Sequence, residues 1–258
     1  LNKTWFISGA SSGLGFEMAE QLLGNGHRVI ATTRRYNSLT GLQRKYGSKL
    51  DIVLLDLLEP QSITPAVRGA FRRHGKVDIL VSNAEYALSS PAENLTDVQI
   101  EQQIATNLTG SVHLIRAALQ PFRHQGGGRI VQVSSARGHG FRSGFSLYHA
   151  TKRGIEAFVE SVSEEVAPFA IDFIIAELGD LNTRINANPV RQEPRDAYQD
   201  TFSLNSAEYA CPESSIDSDV IKTASAIISA AQSSRPPLRL TLASSTDQAM
   251  PARLPSLA

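Results

Sequence analysis

The run Tyr148-His149-Ala150-Thr151-Lys152 holds two side chains that can trade protons. On a helix, residues at this spacing lie one above the other on the same face. An ammonium beside a phenol favours the phenolate, drawing a group that ordinarily titrates near ~10 toward neutral pH. The pair is therefore a candidate general acid/base. Alone it is a weak signal, because the same pair on a solvated helix face does no chemistry. Its weight depends on what else the chain carries.

A second chemistry-bearing stretch is Gly9-Ala10-Ser11-Ser12-Gly13-Leu14-Gly15. It follows a short apolar run, Lys3 to Ser8, and precedes an amphipathic stretch with Phe16, Ala19, Leu22 and Leu23 on one side. Strand, glycines, helix is the context of a dinucleotide phosphate site. Glycine lets the backbone approach a pyrophosphate, and the helix start offers free N–H groups and the positive end of its dipole. A plain glycine turn is the alternative. The next strand, His27 to Thr33, ends without an acid and is followed by Arg34 and Arg35. A carboxylate at this place reads the ribose 2′-hydroxyl of NAD, whereas an arginine accommodates the 2′-phosphate of NADP. Arg34 is accordingly expected to contact NADP(H), with two ordinary surface arginines as the alternative.

Further candidates stand at the ends of other strands. Leu50 to Leu57 reads as a third strand that brings Asp56 and Leu57 to its C-terminal end. Val77 to Ser82 reads as a fourth, running into Asn83-Ala84-Glu85-Tyr86. Arg129 to Ser135 is a fifth, with Ser135 at its edge, and Ile171 to Ala176 a sixth. Asn107 falls inside a helical stretch from Val98 to Phe122. Asparagine is a poor helix former, so its side chain is expected to have another task, or to be buried and satisfied. Pro60 to about Arg73, Tyr148 to about Ala167 and Asp219 to Gln232 read as helices, and Leu238 to Leu242 as a last strand.

The elements that must position these residues alternate between strand and helix. That pattern predicts an α/β, Rossmann-type doubly wound fold: a mostly parallel seven-stranded sheet with helices on both faces. Every residue singled out after a strand falls at its C-terminal end, where such sheets bind ligands. From Asn182 to about Ser215 the chain is polar and broken by Pro189, Pro194 and Pro212. This reads as a substrate lid with Ile185, Val190, Tyr198, Phe202 and Leu204 as its apolar members. The whole chain, 1–258, reads as a single domain, and the polar, proline-containing tail from Thr246 is expected to be ordered only at an interface.

Composition narrows the function classes. Hydrophobic residues make up 41% and the formal net charge is zero. Balanced charge argues against nucleic acid or an anionic membrane surface as main partner, and leaves self-association unopposed. The single cysteine, Cys211, excludes an internal disulfide and points to a reducing, cytoplasmic setting. No apolar run approaches the ~20 residues of a membrane span. The strand pattern that starts at Lys3 is expected to leave no room for a signal peptide.

Taken together, Gly9-x3-Gly13-x-Gly15, Asp56, Asn83-Ala84, Asn107, Ser135 and Tyr148-x3-Lys152 resemble the short-chain dehydrogenase/reductase family over essentially the full length. The resemblance implies a nicotinamide cofactor, a small-molecule substrate and a homodimer or homotetramer packed through long helices. It implies that Tyr148 gives a proton to the substrate oxygen as hydride arrives. Lys152 would hold the cofactor ribose and lower the tyrosine pKa, Ser135 would bond the reacting carbonyl, and Asn107 would anchor a water that relays protons. Thr183 matches a position that often contacts the nicotinamide amide. These roles agree with what carbonyl reduction needs: an acid, a cation to tune it and a donor at the developing oxyanion.

Two positions depart from the family pattern. Glu85 replaces the glycine of Asn-Ala-Gly, and Leu178-Gly179 stands in place of Pro-Gly. Glu85 is expected either to turn to solvent or bond a backbone group or, with Asp180, to face a cationic substrate such as an imine or amine-bearing ketone. Tyr86, Phe141, Phe145 and Phe202 are expected to line an apolar substrate pocket. The leading expectation is an NADPH-dependent reductase of a carbonyl or imine in specialised metabolism, one that guides product cyclisation in one variant. A cofactor-binding sensor or scaffold with little turnover is the alternative. A hydrolase built on Ser135 is disfavoured because no His and acid stand at readable spacing.

Overall fold

The computed structural model describes residues 2–135, 143–179, 190–191, 198 and 216–242. Its strands are β1 (Thr4–Ile7), β2 (Arg28–Thr33), β3 (Leu50–Leu54), β4 (Ile79–Ser82), β5 (Leu88–Ser89), β6 (Gly128–Ser135), β7 (Ile171–Leu178), β8 (Val190–Arg191) and β9 (Arg239–Leu242). Its α-helices are α1 (Gly13–Gly24), α2 (Thr40–Tyr46), α3 (Pro60–His74), α4 (Asp97–Ile104), α5 (Ser111–His124), α6 (Ser146–Val166) and α7 (Ile216–Gln232). Seven strands form one sheet in the order β3-β2-β1-β4-β6-β7-β9, and every pairing in it is parallel. The expectation of a mostly parallel sheet is thus tightened to a wholly parallel one.

Side-chain alternation along the strands builds a core on each face. Trp5, Ile7, Val29, Ala31, Ile79, Val81, Val131 and Val133 point to one face, where α1, α2 and α7 pack. Phe6, Ile30, Leu80 and Ile130 point to the other, against α3, α5 and α6. Strand order reverses between β1 and β4. At such a switch point the loops leave in opposite directions and open a crevice at the C-terminal rim.

Several sequence boundaries shift. The third strand ends at Leu54, short of Asp56, and β7 runs on to Leu178. The single helix expected from Val98 to Phe122 is α4 and α5 joined by a π-helical turn, Ala105–Gly110. Thr96 and Gln99 start α4 with a reciprocal capping box. A Cβ on Gly110 would lie 2.8 Å from Leu57 Cβ, so only glycine lets this turn sit against the β3–α3 loop. The helix α2 and the small parallel pair β5–β8 escaped the sequence reading. The pair draws residues 190–191 of the expected lid beside Leu88 and Ser89.

Glycines at tight contacts give a test of packing. A Cβ on Gly128 would land on the ring of Phe122, a fully buried side chain, whereas one on Gly41 in α2 meets nothing. Gly128→Ala is expected to lose about 1–3 kcal/mol, roughly 5 °C in melting temperature. Gly41→Ala is expected to gain about 0.5–1 kcal/mol through helix propensity. Chemical denaturation of both variants checks the pair.

Candidate active site

The glycine turn leaves β1 at the switch point. Gly9 and Gly13 both have left-handed backbone, φ +66° and +56°. A Cβ on Gly9 would lie 2.8 Å from Ala84 Cα, and one on Gly15 would lie 2.6 Å from both Asn83 Nδ2 and Gly9 O. These two glycines therefore serve close backbone packing. Gly13 differs: a Cβ there meets nothing within 4 Å, so the turn opens onto free space at the head of α1. Ser12 caps that helix by backbone alone, with no side-chain hydrogen bond to its first N–H groups.

Asn83 fastens the two central strands together. Its amide nitrogen donates to the carbonyls of Ser8 at 3.0 Å and Gly9 at 3.2 Å. The Ser8 hydroxyl in return accepts from the backbone N–H of Asn83 and of Ala84. One cleft of about 440 Å³ opens here. It brings together Gly9, Ser11, Ser12, Gly13, Leu14, Arg34, Asp56, Leu57, Asn83, Ala84, Glu85 and Tyr86, twelve of the positions named from sequence. The Thr33 hydroxyl shapes the β2 exit, accepting from the N–H of Arg35 at 3.1 Å. Arg34 is exposed at the cleft edge, with no ion pair among the described residues.

Tyr148 and Lys152 are not on a solvated face. The buried residues Tyr148, Lys152, Ile155, Val159, Val162 and Val166 recur every three or four positions along α6, so the reactive pair heads the stripe that packs on the sheet. Lys152 is 1% exposed. Its ammonium donates to the Val133 carbonyl at 3.0 Å and pairs with the Glu85 carboxylate. The other Glu85 oxygen accepts from the Tyr148 hydroxyl at 3.4 Å. The first expectation for Glu85 is corrected: it neither turns to solvent nor bonds backbone, because two buried donors lie within its reach. Phe145 meets the Tyr148 ring edge to face at 6.4 Å and, with Ala87, closes a small apolar cluster around it. Ser135 ends β6 beside Leu178 on the same rim.

Asn107 projects from the π-helical turn and is 1% exposed. Its amide oxygen accepts from the N–H of Tyr86 at 3.1 Å, and its amide nitrogen donates to the Tyr86 carbonyl at 2.8 Å. The same nitrogen reaches the Thr151 hydroxyl at 3.4 Å. Gln103, fully buried, adds a second donor to that carbonyl at 3.2 Å. The other task expected of Asn107 is thus to clamp the residue after Glu85. Burial pushes the Tyr86 phenol up, so it faces the cleft as a neutral group.

Sequence reasoning missed Glu156. It lies one turn beyond Lys152, buried, accepting from the Ser134 hydroxyl at 2.5 Å and from Arg239 at 3.1 Å. The same Arg239 guanidinium pairs with Glu160 and Glu177. The spacing that flagged Tyr148 and Lys152 would have flagged Glu156 had it been continued one turn. Phe141, Asp180, Thr183, Ile185, Phe202 and Leu204 lie outside the described residues. Of the expected lid, Tyr198 donates to Glu93 at 2.6 Å, on the segment that follows β5.

Burial pushes the Lys152 ammonium down to about 7, against the pull of the Glu156 carboxylate. Its folded pKa thus lies below the ordinary 10.5, and between these values the unfolded chain holds the extra proton. Stability is therefore expected to rise with pH across that window. Lys152→Met should flatten the rise in urea denaturation curves recorded from pH 7 upward.

Comparison with known proteins agrees with this fold. The family model for short chain dehydrogenases matches residues 3–194. The oxidoreductase BOA17 of Botryotinia fuckeliana (strain B05.10) is 33% identical over 245 residues, covering 93% of this chain and 88% of that protein. A solved short-chain dehydrogenase from Streptomyces avermitilis is 32% identical with a TM-score of 0.83, covering 94% of this chain and 89% of the other. A metagenomic short-chain oxidoreductase in complex with NADP is 26% identical with a TM-score of 0.65, over 69% of this chain and 82% of its own. A match that runs from the first strand well past β7, with such relatives along nearly the whole length, makes this protein a member of the short-chain dehydrogenase family of oxidoreductases.

Proposed function

We propose that the protein is an NADP(H)-dependent reductase that adds hydride to a carbonyl or imine carbon of a moderately large, mostly apolar small molecule, with Tyr148 as proton donor. The observation that carries this reading is the buried Tyr148–Lys152 pair on α6, joined through Glu85 to the cleft into which the glycine turn opens. A sensor has no physical need for so costly a buried ammonium.

The residues present fit a dinucleotide. The space in front of Gly13 and the head of α1, free of a side-chain cap, suit a pyrophosphate. Ser11, Ser12 and Leu14 would flank it, Asp56, Leu57 and Ala84 would line the remaining cleft, and Thr183 would reach the nicotinamide amide. Arg34 at the end of β2, with no acid beside it, supports NADP over NAD. When bound, the reduced nicotinamide supplies the hydride. Lys152 would hold the ribose, Ser135 would fix the reacting oxygen by a hydrogen bond, and Tyr148 would protonate it. Tyr86 and Phe145 support an apolar substrate, and with Phe141, Phe202 and the 182–215 lid they would exclude water. Reduction is the favoured direction where NADPH prevails. We read the chain as one domain, a cytoplasmic homodimer or homotetramer; zero net charge and the exposed Val98 on α4 support association. No helix among the described residues is long and apolar enough to cross a membrane. A place in specialised metabolism rests on analogy with the altered motifs alone.

A second reading, cofactor binding with little turnover, is favoured by one observation: the Glu85 carboxylate stands between Tyr148 and Lys152. Loss of NADPH absorbance with a panel of ketones and imines separates the two. On the first reading Tyr148→Phe lowers turnover by at least about 10²-fold while NADPH still binds. An unchanged rate would end that reading. Arg34→Ala is expected to weaken NADPH roughly tenfold and leave NADH unaffected, as measured by fluorescence titration.

A further inference from the structure

Every proton that Tyr148 gives away has to be replaced, and Tyr148 is only 7% exposed. Lys152 is 1% exposed, so water does not reach it directly. Among the described residues its ammonium touches the Val133 carbonyl and the Glu85 carboxylate. A carbonyl oxygen has no proton to give. A carboxylate can take one and pass it on. Glu85 also lines the cleft, and its side chain is 9% exposed. It touches both members of the reactive pair and open space at once.

Its position is fixed from the side. Tyr86, the next residue, has both backbone polar groups bound by Asn107, and Gln103 adds a third bond. The Asn107 amide is committed there and to Thr151. The chain before Glu85 is fixed by Asn83 and Ala84 bonding the Ser8 hydroxyl. A residue clamped on both sides, with its head group between two proton-exchanging partners, has the preorganisation a relay requires.

We propose that Glu85 is a catalytic proton carrier that refills Tyr148. The proposal rests on the reductase reading above. After Tyr148 has passed its proton to the product oxygen it is a phenolate. A Lys152 N–H bond breaks and an O–H bond forms on one Glu85 oxygen. The carboxylic acid then gives a proton to the phenolate, restoring the Tyr148 O–H bond and the Glu85 carboxylate. Lys152, left as a neutral amine, regains its proton when Glu85 next takes one from water in the cleft. No electrons change hands in these steps, and the net event is one proton moved from water to Tyr148.

The test compares Glu85→Gln and Glu85→Ala with wild type in NADPH-driven reduction of the best substrate from the carbonyl and imine panel. Glu85→Gln keeps the shape and loses the acid. Its kcat is expected to fall about 10²-fold, with the Kd for NADPH, measured by fluorescence, within about threefold of wild type and an enlarged solvent deuterium effect on kcat. Glu85→Ala leaves a gap the size of a carboxylate. Formate added to that variant is expected to restore the rate at least tenfold in a saturable way, while formamide, of the same shape but unable to carry the proton, is not. Three results would overturn the proposal: a Glu85→Gln kcat within threefold of wild type, equal rescue by formamide, or an alanine variant faster and tighter for NADPH than wild type. The last would make the carboxylate an obstruction. If Tyr148→Phe is inactive while Glu85→Gln is normal, the relay alone fails. If wild type reduces nothing in the panel, both readings fail.

Discussion

An ammonium sealed from water organises this protein's reactive rim. Taking Lys152 out of solvent costs several kcal/mol unless its donors are met. The fold offsets that cost from three directions. The end of β6 offers the Val133 carbonyl, the loop after β4 offers the Glu85 carboxylate, and Glu156 one helical turn away lends a second negative charge. Each of these elements is anchored in turn. β6 lies between β4 and β7 in the sheet, the loop is clamped by Asn83 and Asn107, and Glu156 is tied to Ser134 and Arg239. A charge that is expensive to bury thereby fixes the relative placement of a helix, a strand end and a loop.

The π-helical turn at Ala105–Gly110 belongs to the same economy. A regular helix would carry Asn107 at a pitch set by its neighbours. The extra residue in the turn lets the amide project sideways and take both backbone groups of Tyr86. Such turns concentrate at functional positions for this reason. Gly110 then allows the widened backbone to lie against Leu57. The poor helix propensity of asparagine is tolerated because the bonds it makes replace those an exposed loop would have given to water.

Replacing a glycine by Glu85 changes the character of the rim. With glycine the loop would contribute only backbone beside Lys152. With glutamate it contributes a counter-ion, and the charge of Lys152 is met within the protein. Leu178 is the quieter departure: β7 continues as regular strand beside Ser135 and puts an apolar side chain in the cleft wall.

The primary structure alone determined the parts of this protein that depend on local order. Alternating strands and helices, the glycine turn after β1, the arginine after β2 and the helical spacing of Tyr148 and Lys152 are properties of neighbouring residues. They suffice for the wound sheet and for the cluster of positions around one cleft, because parallel connections send all strand ends of interest to one rim. What the tertiary structure decided is which long-range partners each side chain meets. Residues 85 and 152 are far apart in the chain, as are 107 and 86 in distinct elements, and no periodicity encodes their pairing. The buried state of Lys152, the inward turn of Glu85, the π-helical bend and the Glu156–Arg239 link all arise from desolvation, and a group is desolvated only when the rest of the fold closes over it.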